Sequence, residues 1–114
     1  MTEPQHHNQV ALTGRVSGTP EARTLPSGDE IVTFRLVVRR TRPRRGTARS
    51  AQTVDTIECV AWTSRLRRTC ARLPDGAIVS VTGELRRRFQ RASGSAQSWY
   101  AVELTTCSRS PTAQ

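Results

Sequence analysis

The chain has 114 residues, 35% of them hydrophobic and 4% aromatic, and carries a formal net charge of +9. That length suits one domain with a modest core of Val, Leu, Ile and Ala, and no apolar run approaches the ~20 residues of a membrane span. All 18 basic residues are Arg, whose planar fork fits phosphate and whose face stacks on bases, so nucleic acid leads an anionic membrane or an acidic protein as the expected partner.

Residues 1–9 are polar and lack the apolar h-region of a signal peptide, and a flexible tail is expected there. His6 and His7 lie in this tail, where adjacent residues rarely hold a metal without further ligands. Residues 10–16 alternate, with Val10, Leu12, Gly14 and Val16 on one side, which predicts strand one. A break at 17–20 and a resumption at 21–24 are expected, before the turn sequence Leu25-Pro26-Ser27-Gly28-Asp29. Strand two is expected over 30–40, with Val32, Phe34, Leu36 and Val38 inward and Thr33, Arg35, Val37 and Arg39 outward.

Residues 40–53 form a long Arg-rich connection, in which Arg42, Arg44, Arg45 and Arg49 continue the cluster begun by Arg39 and Arg40. Long loops on small domains are often functional, and this one is read as a phosphate contact. Strand three is expected over 54–62, with Ile57, Cys59 and Ala61 inward and Thr56, Glu58, Val60 and Trp62 outward. Residues 64–73 predict a short helix capped by Ser64, with Leu66, Cys70 and Leu73 as its apolar stripe.

Pro74-Asp75-Gly76 then marks a turn into strand four, which has Val79, Val81, Gly83 and Leu85 on its apolar face. Gly83 inside the strand predicts a bend, a bulge or a close backbone approach. The strand becomes basic at Arg86 and Arg88 and ends near Phe89, before an expected loop over 90–97 that contains Arg91. Strand five is expected over 98–107, with Tyr100, Val102 and Leu104 inward and Trp99, Ala101, Glu103 and Thr105 outward. Cys59, Cys70 and Cys107 are odd in number and widely spaced, which argues against a zinc site or a secreted disulfide framework and for reduced, intracellular thiols.

Three strands, a short helix and two strands is the order of an all-β OB-fold, a five-stranded Greek-key barrel. The opening segment resembles that of the bacterial single-stranded DNA-binding protein family through Asn8, Val10, Leu12, Gly14, Val16, Pro20, Glu21, Arg23 and Gly28. Residues 57–88 and 98–104 resemble the remaining core of that family. The resemblance implies stacking of bases on exposed aromatics, and Trp62 matches one such position. Three other aromatic positions of the family fall at Thr56, at Arg42, and near Phe89 or Gln90. The family's long tail and acidic end are not matched, so the chain looks like a tailless paralogue or a cropped piece, without the segment that recruits replication proteins.

The expected domain is 10–107, between a tail at 1–9 and a short polar end at 108–114. The expected function is non-enzymatic, largely sequence-independent binding of single-stranded DNA in replication, recombination or repair. No nucleophile–base set is apparent and no cofactor or metal is expected. The expected contacts are Arg35, Arg39, Arg42, Arg44, Arg45, Arg49, Thr56, Trp62, Arg86, Arg88, Phe89 and Arg91. The resemblance further implies a homotetramer and a cytoplasmic, nucleoid-associated location, with no membrane partner. A protein-interaction module of a replication or restart complex, and RNA binding, are the alternatives.

Overall fold

Apolar residues that alternate along five strands here close into one barrel. The computed structural model describes residues 3–41, 53–92 and 95–110. Its elements are β1 (Val10–Thr24), β2 (Glu30–Arg39), β3 (Val54–Ala61), α1 (Ser64–Ala71), β4 (Ile78–Ala92) and β5 (Ser95–Arg109). Around the barrel the order is β1-β2-β3-β5-β4, and β4 pairs back onto β1. All pairings are antiparallel except β3 with β5, a short parallel contact of Cys59 with Val102 and Val60 with Glu103. This is the OB-fold topology expected from the sequence.

The interior is filled by the inward set, with Val16, Val32, Phe34, Leu36, Cys59, Val79, Val81, Val102 and Leu104 all buried. Helix α1 closes one end by adding Leu66 and Cys70 to that core, and Leu73, just past its end, joins them. Its cap is Thr63, one residue before the expected Ser64; the Thr63 hydroxyl accepts from the Leu66 N–H at 3.2 Å. The three sulfurs, distant in sequence, come together here. Cys70 donates to Cys107, and Cys59 lies close enough to add to the cost of charging Cys70. All three thiols are free.

Strand β1 is continuous where a break was expected. The irregularity is absorbed as a bulge instead: Ser17 pairs with Arg35 and Glu21 with Thr33, so the intervening turn of β1 is longer than its partner. Gly18 adopts φ +82°, and its N–H is held by Asp75 Oδ1 at 2.8 Å. Gly83 marks a second irregularity, as anticipated. The β4–β5 register shifts between Thr82 and Gly83, and a Cβ on Gly83 would stand 2.2 Å from the Glu103 carbonyl oxygen.

The expected loop over 90–97 is replaced by a tight hairpin. Gln90 pairs with Gln97, Arg91 with Ala96 and Ala92 with Ser95. Strands β4 and β5 therefore leave the barrel together as a two-stranded arm. This arm corrects the expectation for Tyr100. Tyr100 shares the parity of Val102, yet it is 59% exposed, because the barrel interior ends before the strand does. Leu85 and Phe89 are exposed for the same reason. Asn8 braces the base of the arm, with its side-chain amide making both hydrogen bonds to the Leu85 backbone at 2.8 Å.

Candidate nucleic-acid interface

The outer faces of β2, β3, β5 and β4 make one curved surface. Cross-strand pairs fix what stands on it. Arg35 is opposite Glu58 and Val37 opposite Thr56. Trp99 is opposite Arg88, and Ala101 opposite Arg86. Directly paired residues project to the same face, so the strands bring Arg35, Arg39, Thr56, Arg86 and Arg88 together on it. Arg35, Arg39 and Thr56 are exposed and Arg88 is half-buried.

The outer face has a small core of its own. Ile31, Val60 and Ala101 are buried there, beneath Leu25 and Trp62. Val60 and Ala101 thus project outward as expected and are nonetheless covered. Trp62 follows β3 on this face and is half-buried against that cluster. Its carbonyl accepts from Arg67, and its indole Nε1 is shielded with no acceptor among the described residues. Trp62 is therefore part of the packing as well as part of the surface.

The arginines divide into committed and uncommitted groups. Arg40 makes a two-pronged bond to Asp55, at 2.9 and 3.1 Å, and its N–H bonds the Thr53 carbonyl, so it clamps the root of the 42–52 connection. That contact raises Arg40 and holds the Asp55 carboxyl below its ordinary range. Arg86 is held between Glu84 at 3.1 Å and Glu103 at 3.3 Å. By contrast Arg35, Arg39 and Arg88 make no ion pair among the described residues. Beside Arg35 a cleft of about 350 Å³ is lined by Arg23, Thr33, Glu58 and the β1 bulge.

Phe89 is not brought into this group. It projects from the opposite side of the arm, 72% exposed, with the Arg87 guanidinium 5.4 Å from its ring and 5.7 Å from that of Tyr100. Arg42, Arg44, Arg45 and Arg49 lie outside the described residues, as does the side chain of Arg91. Trp99, expected outward, is not among the contacts expected from the sequence. Its indole Nε1 donates to Glu58 Oε1 at 2.8 Å, which places it in the middle of the outer face. The signal that could have found it was its shared parity with Ala101 and Glu103. Among the described residues no group of His, Cys, Asp and Glu is arranged to hold a metal, and no helix is long and apolar enough to cross a membrane.

Single-stranded DNA-binding protein A of Bacillus subtilis (strain 168) is 36% identical over 81 residues, which is 71% of this chain and 45% of that protein. Single-stranded DNA-binding protein 1 of Streptococcus agalactiae serotype III (strain NEM316) is 33% identical over 98 residues, covering 85% of this chain and 57% of that protein. The chain thus spans about half the length of the curated relatives it matches. Among solved structures, the Plasmodium falciparum SSB complex with ssDNA superposes with a TM-score of 0.73 at 21% identity, covering 95% of this chain and 96% of that one. The small single-stranded DNA-binding protein from Streptomyces coelicolor gives 0.64 at 23% identity, with 90% and 93% covered. At those identities the two structures speak to the fold. The profile of the single-strand binding protein family matches residues 7–109, nearly the whole barrel and its arm, and the chain belongs to that family.

Proposed function

We propose that the chain binds single-stranded DNA without catalysis and with little sequence preference. The observation that carries this reading is the outer face, where uncommitted Arg35, Arg39 and Arg88 share one side of the sheet with both indoles. Guanidinium groups would track phosphates, and Trp62 would offer a base one face of its ring. The names of the relatives support the same ligand. Arg42, Arg44, Arg45 and Arg49, in the connection that follows β2, would add further phosphate contacts, while Thr56 and Arg86 stand on the face itself. Arg91 and Phe89 belong to the arm, which would reach further along the strand.

The binding unit is taken as 10–107, flanked by tails at 1–9 and 108–114. It would act as a homotetramer in replication, recombination or repair on cytoplasmic, nucleoid-associated DNA, with DNA crossing several subunits. The exposed Leu85, Phe89 and Tyr100 supply apolar surface that an assembly could cover, and sedimentation analysis reads the state directly. Fluorescence anisotropy with labelled oligo(dT), a matched duplex and a matched RNA tests the ligand. Preference for oligo(dT) is expected; equal or tighter binding to duplex, or a preference for RNA, would overturn the assignment.

A further inference from the structure

We infer that Trp99 forms a second base-binding subsite on the outer face, held in position by Glu58. The inference rests on the single-strand reading above and deepens it. Two tryptophans are present in the chain, and both project to the same face. Val60 and Ala101 lie on that face as well, buried in the cluster that Trp62 covers. Trp99 stands two residues before Ala101 on the same side of β5, so its indole is on the same face as that cluster.

The surroundings of Trp99 suit a nucleotide. Its indole donor is already satisfied by Glu58 at 2.8 Å, so the ring is fixed in orientation and has no unmet polar demand. A carboxylate in the centre of a surface for a polyanion is unfavourable unless it has a structural task, and orienting the indole is that task. Glu58 is also opposite Arg35 in the β2–β3 register, so an arginine stands beside the carboxylate on the same face. On the other side Arg88 is opposite Trp99 and makes no ion pair among the described residues. A base on the Trp99 ring would therefore carry its phosphate within reach of an uncommitted guanidinium.

The test uses the Trp62→Phe protein, in which Trp99 is the remaining indole. Titration with oligo(dT) should quench its emission, and Glu58→Gln, which keeps an acceptor for the indole, should preserve the quench. Trp99→Ala should weaken oligo(dT) binding roughly 5- to 150-fold, the equivalent of ~1–3 kcal/mol for one stacked base. Trp99→Phe should recover much of that loss. Unchanged Trp99 emission together with wild-type affinity in Trp99→Ala would overturn the subsite while leaving the single-strand reading intact. If the unaltered protein does not bind oligo(dT) at all, both fall. Should Trp99→Ala lose its melting transition, the emission of the Trp62→Phe protein decides, since it leaves Trp99 untouched.

Discussion

Trp62 sits at the junction of packing and binding. It covers Ile31, Val60 and Ala101, so removing it exposes a buried cluster as well as a stacking surface. Trp62→Ala should therefore cost ~1–3 kcal/mol in oligo(dT) affinity and also lower the melting temperature, whereas Trp62→Phe should restore most of the stability. A variant that melts lower but binds oligo(dT) with full affinity would make Trp62 a packing residue alone. The cysteines give an independent check on the interior. Burial pushes the Cys59 thiol up to about 12, and Cys70 is raised because its thiol donates to Cys107 and is itself buried. Accepting that bond holds Cys107 below its ordinary value, and Cys107 is only half-buried. A lowered pKa keeps thiolate available at lower pH, so iodoacetamide should modify Cys107 first, with a rate that levels off at lower pH than that of an ordinary free thiol. Equal labelling of all three thiols in the native protein would contradict this packing.

At the scale of the elements, two strand glycines let neighbouring strands of the barrel approach closely. A Cβ on Gly83 would meet the Glu103 carbonyl at 2.2 Å, and one on Gly14 would meet the Val37 carbonyl at 2.4 Å. Both contacts are with backbone, which cannot swing aside. Gly83→Ala should destabilise by about 1–3 kcal/mol in urea unfolding, as overpacking does, and an unchanged midpoint would show that β4 and β5 are further apart there. The inward sets on β2 and β4, and Gly83 as an irregular point, were legible because period-two alternation is local. What was not legible depends on non-local contacts. Tyr100 has the parity of a core residue, but parity names a face and does not say whether anything covers it. The outer cluster needs Val60 beside Ala101, a neighbourhood created by the parallel meeting of β3 and β5. Trp99 and Glu58 are 41 residues apart, and strand parity alone does not bring them together.

Over the whole molecule, a net charge of +9 is carried entirely by Arg on the basic side, and among the described residues Arg40, Arg67 and Arg86 are paired with carboxylates. The number of phosphates neutralised should accordingly be well below the number of cations. With about five contacts, log K should fall with log salt at a slope of roughly −3.5, from ~0.7 per phosphate on single strands. A slope near zero between low and moderate salt would remove phosphate contact from the account. The central claim is more specific than charge, because it names a face. Mapping backbone amide shifts in an isotope-labelled sample as oligo(dT) is added tests it most directly. The account predicts that perturbations concentrate at Arg35, Thr56, Glu58, Trp62, Arg88 and Trp99. Perturbations confined to Leu85, Phe89 and Tyr100, with the outer face unmoved, would contradict it.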